Sequence, residues 1–419
     1  MDKFVINGPV KLKGSVEISG AKNAVLPIMT ACLAYPGIYT LNNVPLLRDT
    51  TTMVKLLKTI GADVTINNSQ LVVDTRGCDN PEAPYELVKT MRASFYVLGP
   101  LLSRFKYSKV SLPGGCAWGP RPVDYHIKAF KEMGAKVTLR GGYILAEGDL
   151  SGTVVEFKKS SVGATCNVLM ACINLNEEVI IKNAAMEPEI VDLCDFIEKI
   201  GVKIEGKGTS ELKVTGIEKN NNEIVIEHDI IPDRIEAGTF LIAAAITKSK
   251  LDICNVVPKH LSIVIEKLKK TGCDIIENDK SITLIPSYNI KPVNVVTDIY
   301  PGFPTDLQAQ WVVLMSISDG ESTVEDTIYI DRFSHIPELI RLGASISLND
   351  NIAHINGVSS LYGAEVMSTD IRASASMILG AIAAEGSTSL SRIYHIDRGY
   401  ENIEKKLNSI GADIKRVND

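Results

Sequence analysis

One short segment, residues 112–124, places a cysteine in a setting suited to chemistry. It reads LPGGCAWGPRPVD, so Cys116 follows Pro113, Gly114 and Gly115 directly. Glycine and proline favour a turn over a regular helix or strand, and the thiol is therefore expected on a loop. A free thiol has a pKa near ~8.5, which a nearby cation such as Arg121 lowers. The segment predicts a thiol that can donate a proton or act as a nucleophile; the alternative is a cysteine that only packs.

Charged and hydroxyl-bearing residues also recur just before six apolar segments. They are Lys22-Asn23, Arg92, Ser161-Val162-Gly163, Arg234-Ile235-Glu236, Thr305-Asp306 and Asp370-Ile371-Arg372. If the apolar segments are helices, free backbone amides and the positive end of the helix dipole suit anions at these points. The alternative is structural: Ser161, Thr305 and Asp370 cap their helices, and basic residues pair with nearby carboxylates. Because a cation at a helix N-terminus opposes the dipole, the set as a whole favours phosphate or carboxylate sites.

Several other chemistries lack their motifs. The sequence has no GxxxxGK[ST] loop, no GxGxxG after a strand and no HExxH, so no metal and no cofactor are expected. His335 and His395 have polar neighbours, but a lone histidine is more often structural. A formal net charge of -6 offers no basic footprint for nucleic acid, although local basic clusters can still bind an acidic small molecule.

The composition indicates an ordinary globular protein of two or more domains. The first residues lack a signal-peptide pattern, and no apolar run reaches the roughly 18 residues of a membrane span, so a cytoplasmic location is expected. Eight cysteines among 419 residues are too sparse for a disulfide scaffold. Six of them, including Cys32 and Cys172, lie in or beside apolar patterns and are expected to be inert core thiols.

The elements that must position these residues form an internal repeat. Six amphipathic helical patterns each end in a glycine that precedes a strand-like run, as in LLKTIGADVTI. The glycines are 67 to 73 residues apart: Gly61, Gly134, Gly201, Gly272, Gly343 and Gly411. Each fits a left-handed cap that stops a helix.

A second helical pattern recurs with similar spacing. It places six alanines in register: Ala24, Ala93, Ala164, Ala237, Ala309 and Ala373. These segments are apolar nearly all round and predict buried inner helices, whereas the glycine-capped helices have one charged face and predict outer helices. Alternating segments between them, such as ITLIP and YILAEG, predict strands.

The repeats also predict the domain organisation. Three units of about 70 residues closing around their inner helices make one domain, so six units make two. The polar segment near residue 229 is the expected boundary. One domain is then 21–229, with repeats one to three, and the other is 230–419 together with residues 1–20, whose strands are expected to pair there.

The combination of motifs closely resembles one family from end to end. The segments that carry the resemblance are ISGAKNAVLPI, VKTMRASFYVLGP, SLPGGCAWGPRPVDYH, SSVGAT, PDRIEAGTF, FPTDLQAQ, DIRASAS and RIYHIDRGYENIEKKL. They resemble the UDP-N-acetylglucosamine 1-carboxyvinyltransferases, which belong to the enolpyruvyl transferases. The resemblance implies transfer of an enolpyruvyl group from phosphoenolpyruvate to the 3′-hydroxyl of UDP-N-acetylglucosamine with release of phosphate, the first committed step of peptidoglycan synthesis. It also implies a two-domain inverted (inside-out) α/β barrel of six repeats.

The same resemblance assigns site residues by position. Lys22, Asn23, Arg121 and Arg398 match phosphoenolpyruvate positions, and Arg332 and Arg372 match supporting arginines. The residues that match UDP-sugar contacts are Asn23, Arg92, Arg121, Pro122, Val123, Asp124, Tyr125, Lys159, Ser160, Ser161, Val162, Gly163, Asp306 and Ile328. Cys116 matches the acid that protonates C3 of phosphoenolpyruvate and the target of fosfomycin. Asp306 matches the base for the 3′-hydroxyl, with a simple N-cap as the alternative.

Two other functions stay open on the sequence. One is 5-enolpyruvylshikimate-3-phosphate synthase, which shares the fold and reaction type but lacks the PGGCxxGxRPVD loop. The other is a non-catalytic nucleotide-sugar sensor, against which the presence of Lys22, Cys116 and Asp306 argues. The sequence departs from the family at Ile330, where many relatives have glutamate, and at Trp118, where a smaller aliphatic residue is usual.

Overall fold

The six repeated glycines all adopt a left-handed backbone in the computed structural model of the chain, which describes residues 2–112, 123–218 and 223–418. Their φ angles lie between 92° and 113°. A residue without a Cβ reaches this region at little cost, so each glycine ends an outer helix and turns the chain into a strand. The repeat read from the sequence is therefore present in the backbone.

The helices follow the predicted alternation of inner and outer segments. The α-helices are α1 (Lys22–Ala31), α2 (Arg48–Ile60), α3 (Tyr85–Val88), α4 (Leu98–Phe105), α5 (Asp124–Glu132), α6 (Val162–Ala171), α7 (Pro188–Ile200), α8 (Arg234–Ile246), α9 (Ser262–Lys270), α10 (Gln308–Met315), α11 (Ile336–Arg341), α12 (Ile371–Ala383) and α13 (Ile403–Ser409). Short 3-10 helices are η1 (Arg92–Val97), η2 (Pro258–Leu261), η3 (Thr305–Leu307) and η4 (Ile393–Arg398).

The strands are short and regularly spaced along the chain. They are β1 (Asp2–Gly8), β2 (Ser15–Glu17), β3 (Gly37–Asn42), β4 (Asp63–Asn67), β5 (Gln70–Asp74), β6 (Glu82–Ala83), β7 (Tyr107–Ser111), β8 (Lys136–Arg140), β9 (Tyr143–Glu147), β10 (Val154–Glu156), β11 (Glu178–Lys182), β12 (Lys203–Glu205), β13 (Glu211–Thr215), β14 (Ile224–Asp229), β15 (Leu251–Cys254), β16 (Asp274–Asn278), β17 (Ser281–Ile285), β18 (Val295–Val296), β19 (Glu321–Glu325), β20 (Ser345–Asn349), β21 (Ile352–Asn356), β22 (Glu365–Met367), β23 (Gly386–Ser391) and β24 (Asp413–Asn418).

The described strands form six four-stranded sheets of one common design. Their orders are β14-β3-β5-β4, β6-β7-β9-β8, β10-β11-β13-β12, β2-β15-β17-β16, β18-β19-β21-β20 and β22-β23-β1-β24. In each sheet the first two strands run parallel and the other two neighbouring pairs are antiparallel. One pairing scheme used six times confirms the repeat architecture.

The chain folds into two compact units. The first unit is Gly20–Ile231, and the second unit is Met1–Ser19 together with Pro232–Asp419. The N-terminal strands belong to the second unit, where β1 lies between β23 and β24 and β2 pairs with β15. Each unit holds three sheets and its own hydrophobic core.

Inner and outer helices differ in burial as their sequences predict. Residues Ala24–Ala31 of α1, Ala164–Ala171 of α6 and all of α10 are buried. Outer helix α2 instead keeps Lys55 and Lys58 in solvent while its apolar face packs inward. In the second unit α8, α10 and α12 pack against one another, which is the inside-out arrangement expected of this fold class. Within the described residues, no helix is both long and apolar enough to cross a membrane.

The second inner segment departs from the simple helix that its sequence predicts. It begins as the 3-10 helix η1 at Arg92 and becomes α-helical only at Leu98. Pro100 stands in the first turn of α4. A proline there loses no helical hydrogen bond, because the first amides of a helix have no partner in the helix, so the α-helix begins just ahead of it.

Candidate active site

A cluster of charges in the second unit surrounds Asp306 in η3. Arg372 Nη2 lies 2.6 Å from its Oδ2, and Arg332 Nη1 lies 2.8 Å from its Oδ1. The side chain of Asp306 is 23% exposed, whereas those of Arg372 and Arg332 are only 6% and 10% exposed. Burial opposes the charged carboxylate, but the two guanidiniums outweigh it and hold the pKa of Asp306 well below its usual range. An ionised, partly accessible carboxylate results.

The position of Arg372 follows from the start of α12. Asp370 caps this helix by accepting hydrogen bonds from the backbone amides of Arg372 and Ala373. The guanidinium of Arg372 lies 5.6 Å from the centre of the Tyr400 ring, which supports it from the other side. Burial works against the charge on Arg372, but Asp306 raises its pKa further, so the cation is permanent.

At two of the inner-helix starts, the predicted N-capping role of a side chain is observed. Asp370 caps α12, and Ser161 caps α6 by accepting a hydrogen bond from the Ala164 amide at 3.3 Å. Asp306 is not the cap of η3, because Pro304 occupies that position. The N-cap explanation of Asp306 is therefore wrong, and its carboxylate binds arginines instead.

Lys22 opens the first inner helix of the first unit. Its ammonium lies 3.0 Å from Oδ2 of Asp49, at the start of α2, and only 13% of its side chain is exposed. Asn23 follows it and is half-buried. Helix α1 has no side-chain cap and no acidic residue in its first turn, so Lys22 relies on a carboxylate from another helix.

The starts of α5 and α6 lie together in the first unit. The rings of Tyr125 and Phe157 are 5.9 Å apart, and the two helices pack against each other. A Cβ built on Gly163 would lie 3.3 Å from the His126 ring, so any larger residue here would push against that ring. The contacts gather the segments 123–125 and 159–163 on one side of the unit; Asp124 and Lys159 are exposed, and Val123, Tyr125, Ser160, Ser161, Val162 and Gly163 are half-buried.

A buried histidine supports this region. Asn167 donates a hydrogen bond to Nδ1 of His126 at 2.9 Å and another to the Phe95 carbonyl at 3.2 Å. Burial, helped by the charge of Arg92, lowers the pKa of His126 to about 3, so the ring is neutral. Because Nδ1 accepts, the proton of the neutral ring is on Nε2. His126 thereby connects α5 to α6 and to η1, which begins with Arg92.

The remaining predicted residues of the second unit lie on two segments. Arg398 ends η4 and is half-buried; together with burial, its charge lowers the pKa of His395. Ile328 is half-buried, and its amide donates to Asp326 Oδ1 at 2.9 Å. Ile330 is 59% exposed. Three predicted residues, Cys116, Arg121 and Pro122, lie outside the described residues.

The seven cysteines that the structure describes are unlike a reactive thiol. Six are buried: Cys32, Cys78, Cys166, Cys172, Cys194 and Cys273. Burial raises the pKa of Cys78 to about 11 and that of Cys194 to about 12. Cys254 is partly exposed, but burial also raises its pKa, with Glu17 and Asp252 adding to the effect. None of the described clusters of histidine, cysteine, aspartate and glutamate could hold a metal ion.

The whole chain is similar to proteins of known activity. A family model described as EPSP synthase (3-phosphoshikimate 1-carboxyvinyltransferase) matches residues 6–407. The UDP-N-acetylglucosamine 1-carboxyvinyltransferase of Hydrogenovibrio crunogenus is 49% identical over 421 residues, covering 100% of both chains. That of Chloroherpeton thalassium is 50% identical, covering 99% of this chain and 97% of the relative. The chain belongs to the UDP-N-acetylglucosamine 1-carboxyvinyltransferase family of enolpyruvyl transferases.

Solved structures show the fold of the family. The enolpyruvyl transferase NikO from Streptomyces tendae superposes with a TM-score of 0.90 at 22% identity, covering 99% of both chains. An EPSP synthase from Acinetobacter baumannii gives 0.73 at 18% identity and covers 100% of both chains. The family resemblance and the fold class predicted from the sequence are therefore confirmed.

Some residues that support the family's site have no signal in the sequence. Asp49 holds Lys22, Tyr400 lies beside Arg372, and Asp326 supports the loop that carries Ile328. Asp49 and Tyr400 belong to different segments from the residues they contact, whereas Asp326 lies two residues before Ile328. Aspartate and tyrosine are common outside functional sites, so only the folded chain reveals these contacts.

Proposed function

We propose that this protein transfers the enolpyruvyl group of phosphoenolpyruvate to the 3′-hydroxyl of UDP-N-acetylglucosamine, releasing phosphate. Similarity to named relatives over the whole chain supports the assignment. The observation that carries the chemistry is Asp306, an ionised and partly accessible carboxylate between Arg332 and Arg372. Such a group can orient a sugar hydroxyl and accept its proton.

The first substrate brings several negative charges. Phosphoenolpyruvate is a trianion near neutral pH, and Lys22, Arg121 and Arg398 are the proposed cations for its phosphate and carboxylate, with Asn23 beside Lys22. Arginine suits the planar carboxylate because its guanidinium donates two parallel hydrogen bonds. Asp49 holds the ammonium of Lys22 in place until the anion binds.

The second substrate requires a surface for a nucleotide diphosphate and a sugar. The proposed contacts of the first unit are Arg92, Arg121, Pro122, Val123, Asp124, Tyr125, Lys159, Ser160, Ser161, Val162 and Gly163. Ser160, Ser161, Val162 and Gly163 stand at the start of α6, where backbone amides suit phosphate oxygens. In the second unit Asp306 and Ile328 are the proposed contacts.

The proposed reaction is an addition followed by an elimination. In the addition, the 3′-oxygen of the sugar bonds to C2 of phosphoenolpyruvate, its proton goes to Asp306, and C3 gains a proton from Cys116. In the elimination, C3 returns a proton to the Cys116 thiolate, the double bond forms again, and the C2–O bond to phosphate breaks as the departing phosphate takes the proton held by Asp306. Phosphate leaves, and the enolpyruvyl ether remains on the sugar.

The low pKa of Asp306 determines when it acts. A carboxylate so strongly stabilised is a weak base towards an ordinary alcohol. The hydroxyl becomes strongly acidic only as its oxygen bonds to C2, so proton transfer accompanies bond formation.

A shikimate acceptor is the second candidate, because the matching family model has the EPSP synthase description. The EPSP synthase of known structure is only 18% identical, whereas the named UDP-N-acetylglucosamine enzymes reach 50%. The PGGC loop, absent from the shikimate enzymes, points the same way. A cytoplasmic role in peptidoglycan synthesis and alkylation of Cys116 by fosfomycin complete the proposal.

Product analysis tests this function. The purified protein is incubated with phosphoenolpyruvate and UDP-N-acetylglucosamine, and the nucleotide fraction is analysed by mass spectrometry and proton NMR. We expect a UDP-sugar that carries an enolpyruvyl ether with two vinyl protons at the 3′-oxygen. Recovery of unmodified UDP-N-acetylglucosamine only, under conditions where both substrates bind, contradicts the proposal.

A further inference from the structure

Asp326, directly after β19, is a buried carboxylate with no exposed surface. Its Oδ1 accepts hydrogen bonds from the amides of Ile328 and Tyr329, at 2.9 and 2.8 Å, and from the Thr297 hydroxyl at 2.8 Å. Its Oδ2 accepts a hydrogen bond from the Thr305 hydroxyl at 2.7 Å. One side chain thus holds three segments: the end of β18, the start of η3 and the loop after β19.

Thr305 links Asp326 to Arg332, and Arg332 contacts Asp306. A hydroxyl has one proton, and that of Thr305 is donated to Asp326, so its lone pairs face other donors. Arg332 Nη1 donates to this oxygen at 3.1 Å and also lies 2.8 Å from Asp306 Oδ1. The sequence of contacts is Asp326, Thr305, Arg332, Asp306.

Arg332 has limited support from elsewhere. Its Nε is buried and has no hydrogen-bond partner among residues 2–112, 123–218 and 223–418. Its guanidinium lies 5.5 Å from the centre of the Tyr329 ring, and the amide of Tyr329 is itself held by Asp326. Asp326 therefore contacts both the threonine whose oxygen accepts from Arg332 and the residue whose ring lies beside it.

We propose that Asp326 is a positioning residue that holds Arg332 against Asp306 through the hydroxyl of Thr305. The inference rests on the proposed function, in which Asp306 is the base. Without a correctly directed Thr305 hydroxyl, Arg332 Nη1 loses one of its two acceptors and is held by Asp306 Oδ1 alone, so the guanidinium can leave the geometry in which it supports Asp306. Small displacements of a catalytic group are costly to the rate.

The structure offers a matched pair of threonines for the test. Thr297 and Thr305 both donate a hydroxyl proton to Asp326, but only Thr305 also contacts Arg332. Thr305→Val and Thr297→Val remove the same group and keep a similar side-chain shape. Thr305→Ser retains the hydroxyl, and Asp326→Asn keeps the size while removing the charge.

Turnover is measured by phosphate release from phosphoenolpyruvate and UDP-N-acetylglucosamine. Thr305→Val and Asp326→Asn should lower kcat on the order of 10- to 100-fold with the KM for phosphoenolpyruvate little changed. Thr297→Val and Thr305→Ser should stay within about twofold of wild type. If Asp326→Asn fails to fold, the threonine variants still decide the outcome. An equal loss in the two valine variants overturns the proposal.

A second background separates positioning from general support. In Arg332→Ala, Thr305→Val should cost less than about twofold, because the arginine through which Thr305 acts is gone. A full additional loss in that background overturns the proposal. If the wild-type protein shows no phosphate release, the proposed function fails, and the same cycle is measured on the free energy of unfolding. Non-additive effects of Thr305→Val and Arg332→Ala support the contact sequence, and additive effects contradict it.

Discussion

Arg372 and Asp306 form a 2.6 Å ion pair between the starts of two neighbouring inner helices. Repeats five and six each carry charged residues at the start of an inner helix, and the fold brings Asp306 and Arg372 into contact. The pair shows what repetition of one unit provides. All repeats share one scaffold, and the inner helices begin with different functional groups. The pair also defines the state of Asp306, whose charge is secured by this arginine and by Arg332.

Asp306→Asn removes the proposed base while keeping the side chain close in size. We expect kcat to fall by roughly 10²- to 10⁴-fold, the usual contribution of a positioned general base. Binding of phosphoenolpyruvate should change little, because Lys22, Arg121 and Arg398 are its proposed ligands. Steady-state kinetics with both substrates varied measures the two effects separately. A kcat within tenfold of wild type would remove Asp306 from the role of base.

Arg398→Lys keeps the positive charge but loses the planar pair of donors. A site that grips a carboxylate with two parallel hydrogen bonds should weaken for phosphoenolpyruvate, while affinity for the UDP-sugar stays near that of wild type. Isothermal titration with UDP-N-acetylglucosamine and the KM for phosphoenolpyruvate give the comparison. Equal losses for the two substrates speak against a carboxylate role.

Two buried histidines predict how stability depends on pH. The pKa values of His126 and His335 are both lowered to about 3, mainly by burial, whereas an unfolded histidine titrates near ~6.5. Below pH ~6.5 these two histidines bind protons in the unfolded chain but stay neutral in the folded chain. Each histidine should therefore reduce the free energy of unfolding by about 1.4 kcal/mol per pH unit as the pH falls from about 6.5 towards 3. Above pH ~6.5 both histidines are neutral in the folded and in the unfolded chain, and this loss of stability is absent.

Denaturant unfolding between pH 7 and 5 tests the contribution of one histidine. Below pH ~6.5, His335→Gln should lower the slope of the free energy of unfolding against pH by the equivalent of about one proton. The matched control is His354→Gln, which removes an exposed histidine on β21. If wild type and His335→Gln had the same slope of unfolding free energy against pH, His335 would bind protons equally in the folded and unfolded chain, which would contradict the lowered pKa.

Alkylation should distinguish one cysteine from the other seven. Burial raises the pKa of most described thiols, including Cys78 and Cys194, so few thiolates form near neutral pH. Cys116 lies outside the described residues, and its glycine- and proline-rich segment predicts an accessible thiol. Fosfomycin should give one adduct per chain, located at Cys116 by peptide mass spectrometry. An adduct at the partly exposed Cys254 would point to a different reactive site.

Two substitutions separate the roles proposed for Cys116. Cys116→Ser leaves a hydroxyl too weakly acidic to protonate C3, and the rate should fall on the order of 10²-fold or more. Cys116→Asp supplies an acid but a poor nucleophile towards an epoxide. It should turn over measurably and escape alkylation. Near-wild-type activity of Cys116→Ser would exclude the thiol as the acid.

The repeat architecture was predictable because its signals are local. A glycine after an amphipathic pattern, as at Gly61 or Gly343, fixes a helix end whatever surrounds it. An all-apolar segment such as α10 has to be buried. The start of α4 was less clear, since the placement of Pro100 divides one apolar segment into a 3-10 and an α-helical part.

The charges around the site were only partly predictable. The sequence shows that Lys22 and Arg372 open inner helices, but their partners Asp49 and Asp306 belong to other segments. Asp326 gives no signal of its role, because that role depends on the hydroxyls of Thr297 and Thr305, which only tertiary contacts bring to it. Long-range pairing of this kind follows from the fold rather than from local sequence patterns.

Acceptor choice is the most direct measurement of the central claim. Phosphate release from phosphoenolpyruvate is followed with UDP-N-acetylglucosamine, with shikimate 3-phosphate and with neither acceptor, at equal concentrations. We predict release that requires UDP-N-acetylglucosamine, with shikimate 3-phosphate no better than the blank. Release driven by shikimate 3-phosphate, or none with UDP-N-acetylglucosamine although calorimetry shows that it binds, would contradict the account.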